Sequence, residues 1–149
     1  MNLPPKSTTI LMADDDADDR LLAKDALAEC RLAGDLHFVE NGEELLDFLH
    51  RRGQYTQNNA PRPSLILLDL NMPRKDGREA LREIKTDPAL RKIPVVILTT
   101  SKADTDIGRI YELGANSFIA KPVSFDALVD VMKTIKHYWF EMAELPAKN

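Results

Sequence analysis

Two short runs of consecutive apolar residues constrain the fold of this chain more than any other feature. Leu65–Leu68 reads Leu-Ile-Leu-Leu and residues 95–98 read Val-Val-Ile-Leu, without alternation of apolar and polar positions. Strands of parallel sheets show such runs because helices cover both faces of the sheet. Each run is far shorter than the roughly 20 apolar residues that a membrane-spanning helix needs. The two runs therefore predict buried parallel strands.

Three further segments are candidates for strands of the same sheet. Thr9–Ala13 is a third apolar run, while residues 36–39 and Ser117–Ala120 are shorter and weaker candidates. Stretches with helical periodicity separate these segments, so strands and helices alternate along the chain. This alternation predicts an α/β fold with a doubly wound, five-stranded parallel sheet. A chain of 149 residues is long enough for one hydrophobic core, so we expect a single domain.

Residues that favour helix starts lie between the predicted strands. Asn41 precedes Glu44 by three positions and Asp76 precedes Glu79 by three, which is the spacing of a capping box. After Ser124, apolar residues recur at helical spacing and predict a long amphipathic helix. The residues of this stripe are Phe125, Leu128, Met132, Ile135 and Trp139.

Composition narrows the functional classes. The net charge is −4 and there is no long basic run, so we expect no nucleic-acid partner. Cys30 is the single cysteine, which excludes an internal disulfide. The polar residues 1–8 lack the apolar core of a signal peptide, and we expect a cytoplasmic protein without membrane contact. We predict a flexible segment at 1–8, a domain at 9–140, a tail at 141–149 and an irregular loop at 51–64.

Acidic and polar residues follow four of the predicted strands. These residues are Asp14, Asp15 and Asp16 after the first run, Asp69 after the third strand, Thr99 after the fourth and Lys121 after the fifth. The carboxyl ends of parallel strands meet at one edge of a sheet, where ligands bind. Two carboxylates about 4 Å apart repel by about 4 kcal/mol at an effective dielectric constant near 20. A shared divalent cation relieves this repulsion, and Mg²⁺ suits carboxylates, waters and a phosphate oxygen.

Structural roles are the alternative at each position. Residues 14–19 also fit an exposed helix start, where acidic side chains favour the helix dipole. Asp69 also fits a helix N-cap, although an ionised group after four buried residues needs a cation or hydrogen bonds. Lys121 also fits a surface turn, but from a strand end it can reach the carboxylates at this edge of the sheet and neutralise a transferred phosphoryl group.

Together these residues resemble the receiver domain of bacterial two-component response regulators, from Thr9 to about His137. The matching elements occur in the order of the family. They are Asp14-Asp15, Asp69 within Leu-Asp-Leu-Asn-Met-Pro, Asp76-Gly77, Thr99 and Lys121-Pro122. The resemblance implies a flavodoxin-like receiver fold and a phosphoryl-accepting switch.

The resemblance also implies a role for each site residue in metal binding. Asp15 and Asp69 would bind Mg²⁺ directly, together with the backbone carbonyl of Asn71, and Asp14 would act through water. Asn71 and Ser101 occupy the positions that tune the rate of dephosphorylation in the family.

Phosphorylation chemistry follows from the same resemblance. Asp69 would attack a phosphohistidine of a sensor histidine kinase, Lys121 would neutralise the acyl phosphate, and the Thr99 hydroxyl would bind it. Phe118 would be the switch aromatic that moves with Thr99. The bond between Lys121 and Pro122 would be cis. The chain would not be an enzyme but a stand-alone signalling switch that dephosphorylates itself.

A narrower resemblance is to the small phytochrome-associated response regulators. It rests on residues 61–69, 73–83, 138–140 and 144–146. This resemblance implies that the kinase is a bacterial phytochrome. Residues 13–15 depart from the subgroup, because they read Ala-Asp-Asp where many relatives look like Val-Glu-Asp, which affects only the fine metal geometry.

The same subgroup implies a homodimer formed through the last helix and last strand. Val131, Tyr138 and Phe140 lie off the apolar stripe of that helix. They either pack under the tail or form a partner surface, and we predict the partner surface because exposed aromatic residues are common at interfaces.

Three alternatives remain for the function. The first is a chemotaxis-type or phosphorelay receiver with a kinase that is not a phytochrome. The second is an Asp-nucleophile phosphatase of the haloacid dehalogenase type, although Asp69-Leu70-Asn71 lacks the second carboxylate of Asp-x-Asp. The third is a nucleotide hydrolase, which lacks support because the sequence contains no phosphate-binding glycine motif.

Overall fold

A computed structural model describes residues 8–30, 35–100 and 107–146 of the chain. The strands are β1 Thr9–Ala13, β2 Asp35–Val39, β3 Leu65–Leu68, β4 Val95–Thr99 and β5 Ser117–Ala120. The helices are α1 Ala17–Glu29, α2 Gly42–His50, α3 Gly77–Thr86, α4 Ile107–Glu112 and α5 Phe125–Ile135, and a π-helical segment, Lys136–Met142, follows α5. Ser101 and the helix start predicted near Asp104 lie outside the described residues.

The five strands form one parallel sheet in the order β2-β1-β3-β4-β5. This confirms the predicted flavodoxin-like, doubly wound fold. The order reverses between β1 and β3, because the chain leaves β1 towards β2 and returns to β3 on the other side. Ligands of such sheets bind outside the carboxyl ends of the strands at this reversal. The fold therefore places a cleft beside the ends of β1 and β3.

Side chains alternate between the two faces of the sheet and supply two hydrophobic clusters. Leu11, Ile66 and Ile97 face α2 and α3, and Met12 and Leu67 face α1 and α5. The central strands β1, β3 and β4 are fully buried. Helices on both faces thus explain why these strands are apolar without alternation. No helix in the described ranges is long and apolar enough to cross a membrane.

The two predicted helix caps differ in the structure. The Asn41 side chain accepts a hydrogen bond from the backbone N–H of Glu44 at 2.8 Å, so the cap of α2 is confirmed. Asp76 occupies the N-cap position of α3 but makes no capping hydrogen bond. Its carboxylate instead accepts hydrogen bonds from Arg78 at 3.2 and 3.3 Å, which explains why the side chain does not cap the helix.

The predicted C-terminal helix begins as expected but does not stay α-helical. Ser124 caps α5 by accepting from the N–H of Ala127 at 3.1 Å. Met132 and Ile135 are buried, whereas Phe125 is 37% exposed. From Lys136 the chain continues as a π-helix, so the residues near its end turn by less per residue than the predicted stripe assumed.

Candidate functional site

Backbone hydrogen bonds fix the strand ends next to one another. The N–H of Asp69 donates to the carbonyl of Ala13 at 3.0 Å, and the N–H of Lys121 donates to the carbonyl of Thr99 at 2.9 Å. The residues that follow β1, β3 and β5 therefore meet at one edge of the sheet, as predicted. We call the cluster of Asp14, Asp15, Asp69, Thr99 and Lys121 the acidic edge.

Asp69 lies at the centre of the acidic edge, and the residue is 6% exposed. Its Oδ1 accepts hydrogen bonds from the Thr99 hydroxyl at 2.8 Å and from the N–H of Asn71 at 3.2 Å. Its Oδ2 accepts from Lys121 Nζ at 3.2 Å. Thr99 at the end of β4, Lys121 just after β5 and one loop amide thus hold the carboxylate in a single orientation, and a helix N-cap is not its role.

Gly77 brings the start of α3 against the backbone of Asp69. A Cβ atom at this position would collide with the Asp69 carbonyl oxygen and would lie 2.7 Å from the Cα of Leu70. The N–H of Gly77 donates to the carbonyl of Leu70 at 3.0 Å. A side chain at this position would push α3 away from the loop after β3, so the glycine keeps the acidic edge compact.

Three carboxylates surround the ammonium group of Lys121. Its Nζ lies 2.6 Å from Asp14, 2.8 Å from Asp19 and 3.2 Å from Asp69. Burial alone would lower the pKa of Lys121, but the hydrogen bonds to Asp14 and Asp19 and the charges of Asp14 and Asp69 outweigh it and raise that pKa well above its usual range. The group therefore stays charged at neutral pH.

Asp14 is fully buried, with 0% exposure. Burial raises its pKa, while the hydrogen bond from Lys121 and the 2.9 Å hydrogen bond from the N–H of Asp16 act in the opposite direction. Neighbouring Asp15 is exposed. The two adjacent aspartates consequently differ: Asp14 is fixed inside the protein and Asp15 faces the solvent, where a hydrated cation can reach it.

The carboxylates of Asp14, Asp15 and Asp69 fit a divalent cation. One oxygen from each lies within 4.8 Å of the others. Oxygen donors on one side, with solvent on the other, suit a hard cation that keeps several waters. The carboxyl ends of β1 and β3 thus bring the three predicted carboxylates together. Their role as metal ligands, like that of the backbone carbonyl of Asn71, stays a prediction.

Two aspartates near the acidic edge have roles that the sequence pattern did not assign to them individually. Asp16 caps α1 by accepting from the N–H groups of Asp18 and Asp19 at 2.8 and 3.2 Å. Asp19 contacts Lys121 directly. The acidic run at 14–19 was the available signal. The run contains both the cap of α1 and residues at the acidic edge. The interpretation as a helix start and the interpretation as part of the sheet edge therefore each hold for part of the run.

The remaining predicted residues lie farther from Asp69. Phe118 is half-buried on β5, packs against the cluster under α2 and α3, and its N–H donates to the Tyr111 hydroxyl at 3.1 Å. Val131 and Phe140 are half-buried beside the other cluster, and Tyr138 is 51% exposed. Phe118 is therefore connected to α4 by a hydrogen bond, and its role as a switch residue stays a prediction.

The prediction of a cis peptide bond between Lys121 and Pro122 is wrong for this structure. No peptide bond among the described residues is cis. The trans form before proline is favoured by about 0.5–1 kcal/mol in the absence of other constraints. Lys121 reaches all three carboxylates from the trans arrangement.

Comparisons with known proteins agree with this geometry. The sequence model of the response regulator receiver domain matches residues 10–133. The response regulator Rcp1 of Synechocystis sp. is 41% identical over 144 residues, which cover 97% of this chain and 95% of Rcp1.

Solved structures give the same result. The phosphorylated cyanobacterial phytochrome response regulator RcpA superposes with a TM-score of 0.87 at 41% identity, over 95% of this chain and 100% of RcpA. The Mn²⁺-bound form of Rcp1 superposes with a TM-score of 0.84 at 40% identity, over 94% of this chain and 99% of that one.

Proposed function

The chain belongs to the response regulator receiver domain family, and we propose that its Asp69 carboxylate accepts a phosphoryl group from the phosphohistidine of a sensor histidine kinase. One observation carries this proposal. Asp69 is buried to 6% exposure, oriented by Thr99 and Lys121, and adjacent to two further carboxylates that fit a cation. A nucleophile, a positive charge and a hydroxyl donor thus converge on one point.

The transfer requires a nucleophile that is held in place. An oxygen of Asp69 attacks the phosphorus, the bond from phosphorus to the kinase imidazole nitrogen breaks, and its electron pair returns to the imidazole. The product is an acyl phosphate on Asp69. Lys121 neutralises the charge of the phosphoryl oxygens, and the Thr99 hydroxyl turns from Asp69 to donate to one of them. Positioning and electrostatic stabilisation account for most catalysis in phosphoryl transfer.

Mg²⁺ is the cation that we propose for the acidic edge. Asp15 and Asp69 would hold it with the carbonyl of Asn71, and Asp14 would act through water. When bound, Mg²⁺ supplies positive charge at the transferring phosphoryl group. Support comes from the three clustered carboxylates and from the Mn²⁺-bound form of Rcp1, because both cations prefer oxygen ligands.

Signalling follows from a shift between two states of the chain. A phosphoryl group on Asp69 attracts the Thr99 hydroxyl, and the movement of Thr99 leaves space towards which Phe118 can turn. The backbone N–H of Phe118 is hydrogen-bonded to the Tyr111 hydroxyl of α4, so α4 would move with Phe118. Phosphorylation would act by favouring one of two existing arrangements. Hydrolysis of the acyl phosphate by water would return the chain to its first state.

An exposed apolar surface beside the acidic edge suits the kinase. Leu22 of α1 is 42% exposed, Phe125 of α5 is 37% exposed, and Val123 is fully exposed. These side chains and Lys121 line one shallow cavity. A histidine kinase that docks a helix there would bring its phosphohistidine to Asp69. Because such kinases use cytoplasmic ATP, we propose that the chain acts in the cytoplasm.

A bacterial phytochrome is the kinase that we propose. Support comes from the similarity to RcpA, a cyanobacterial phytochrome response regulator, over nearly the whole chain. We also propose a homodimer through β5, α5 and the π-helical segment. In the π-helical segment, Tyr138 and Met142 are 51% and 63% exposed.

Phosphotransfer from purified kinases tests the proposal. The chain is mixed with Mg²⁺ and with histidine kinases that are phytochromes or respond to other signals, and intact mass spectrometry counts the phosphoryl groups. We expect one group on the wild type, the fastest transfer from a phytochrome, and none on Asp69→Asn, because the amide cannot attack. Phosphorylation of the Asn variant would disprove Asp69 as the acceptor. Faster transfer from another kinase would leave the acceptor intact and replace the phytochrome.

A further inference from the structure

The side chain of Asp19 contacts the ammonium group of Lys121, although Asp19 lies in a helix and not at a strand end. Its Oδ2 lies 2.8 Å from Lys121 Nζ, which also contacts Asp14 at 2.6 Å and Asp69 at 3.2 Å. An ammonium group has three hydrogens to donate. Three carboxylates therefore match its donor capacity, and Asp19 is one of the two nearer acceptors.

The first turn of α1 holds Asp19 in this position. Asp16 accepts from the N–H groups of Asp18 and Asp19, which fixes the turn. Arg20 then ties the turn to the sheet, since its guanidinium donates to the carbonyl of Asp14 at 2.8 Å and to Glu40 at 2.9 Å. The backbone before and after Asp19 is thus anchored, and its side chain is aimed at Lys121 by the turn.

We propose that Asp19 is a positioning residue for Lys121 in phosphoryl transfer, an inference that rests on the proposed function of Asp69. The other two partners of Lys121 have further tasks: Asp69 is phosphorylated during the proposed reaction, and Asp14 belongs to the group of carboxylates that fits the cation. Asp19 alone of the three lies outside the group of oxygens that fits the cation. It keeps the ammonium at the edge of the sheet while Asp69 exchanges its negative charge for that of the phosphoryl group.

Asp18 provides a matched control for Asp19. It lies in the same turn, its N–H is bonded to Asp16 as well, and its side chain is exposed. Replacement of either residue by alanine removes one negative charge near the start of α1, with the same loss of favourable interaction with the helix dipole. Any difference between the two variants then reports the contact with Lys121.

The rate of phosphorylation is the first test. Wild type, Asp18→Ala, Asp19→Ala and Asp19→Asn are treated with acetyl phosphate and Mg²⁺, and intact mass is followed with time. We expect Asp19→Ala to react about tenfold more slowly, which is less than the roughly hundredfold cost of misplacing a group by 1 Å. We expect Asp18→Ala to match the wild type and Asp19→Asn to be intermediate, because its amide oxygen still accepts. Equal rates for the two alanine variants would overturn the inference.

The side-chain NMR signal of Lys121 is the second test and needs no phosphorylation. In a ¹H–¹⁵N spectrum of lysine ammonium groups, a signal persists where hydrogen bonds slow exchange with water. Lys121→Arg assigns the signal by its absence. We expect the signal to persist in Asp18→Ala and to be lost in Asp19→Ala, and an unchanged signal in Asp19→Ala would overturn the inference. A wild type that takes up no phosphoryl group would instead refute the proposed function, and this spectrum would still decide the role of Asp19.

Discussion

The hydroxyl of Thr99 donates a hydrogen bond to Asp69 Oδ1 at 2.8 Å, between two neighbouring strands and inside the protein. Their contact joins the proposed phosphoacceptor to β4, the strand that pairs with the strand of Phe118. The hydroxyl has one proton to donate, so it bonds either to Asp69 or to a phosphoryl oxygen. Phosphorylation of Asp69 is therefore expected to change the hydrogen bond of Thr99 first, before the rest of β4 moves.

Thr99→Ala should separate phosphorylation from its structural consequence. We expect the variant still to be phosphorylated on Asp69, while the backbone amide signal of Phe118 in a ¹H–¹⁵N spectrum no longer shifts on phosphorylation. Removal of a buried hydrogen-bond partner should also lower the free energy of unfolding by about 1–3 kcal/mol. Thr99→Ser is the control, because it keeps the hydroxyl and should restore the shift. A normal shift in Thr99→Ala would show that the signal takes another route.

Asp15→Asn should weaken the binding of Mg²⁺ without unfolding the protein. Asp15 is the exposed member of the carboxylate group that fits a cation. We expect the dissociation constant from an NMR titration to rise about tenfold, which corresponds to about 1.4 kcal/mol. The free energy of unfolding without Mg²⁺ should stay the same or increase, since repulsion at the acidic edge falls. Asp18→Asn is the charge-matched control, and equal effects of both variants would contradict a direct ligand role.

Gly77→Ala should destabilise the protein although it lies at the start of a helix. Alanine in a helix is usually favoured over glycine by about 0.5–1 kcal/mol. Here the added Cβ would meet the Asp69 carbonyl oxygen, and we expect a loss of about 1–3 kcal/mol from overpacking. Gly108→Ala in α4, at an exposed position, should instead be neutral or stabilising. Urea denaturation of both variants measures the difference, and a stable Gly77→Ala would show that α3 can move away from Asp69.

The stability contribution of Lys121 should depend on pH in the alkaline range. Its pKa is higher in the folded protein than the ordinary value of 10.5, so protonation favours folding. The contribution is fully present below 10.5 and decreases as the pH rises above it towards the folded pKa. We therefore expect the difference in free energy of unfolding between wild type and Lys121→Met to be constant at neutral pH and to shrink above 10.5. Lys24→Met, an exposed control, should show no such trend; a difference that grows with pH would reverse the sign of the argument.

The apolar pattern of the strands was clearest where their burial was most complete. β1, β3 and β5 were predicted with their observed bounds, and β2 and β4 differed by one residue. β2 and β5 gave weaker patterns because they form the two edges of the sheet and are only half-buried. The acidic edge followed from the same logic, since residues after parallel strands must meet.

What could not be predicted depends on side-chain direction and on backbone geometry beyond an ideal helix. The run at 14–19 contains five aspartates, and the turn capped by Asp16 decides that Asp19, and not Asp18, joins Asp14 at Lys121. Similarly, the change from α5 to a π-helix at Lys136 leaves no trace in the spacing of apolar residues. Both features arise from hydrogen bonds that a periodic pattern does not contain.

Tyr138→Ala should shift a homodimer of the chain towards the monomer. The three predicted surface residues differ in the structure. Val131 and Phe140 pack partly against the protein's own core. Tyr138 is 51% exposed, and its ring contacts the Trp139 ring with 5.0 Å between the ring centroids. Removal of an exposed aromatic side chain changes the free energy of unfolding little, within about 0.5 kcal/mol. The same side chain often contributes much of the binding energy of an interface.

Tyr138→Ala therefore tests association, while the double variant with Phe140→Ala also loses packing and should be less stable. Sedimentation velocity at tens of micromolar, with and without phosphorylation, measures the association. Leu21→Ala is the control, because Leu21 is 57% exposed on α1 and lies outside α5 and the π-helical segment. We expect a dimer for the wild type and Leu21→Ala and a larger monomer fraction for Tyr138→Ala. If the wild type is monomeric in both states, the exposed ring of Tyr138 serves no contact between copies of the chain, and the half-burial of Val131 and Phe140 accounts for their apolar character without a partner.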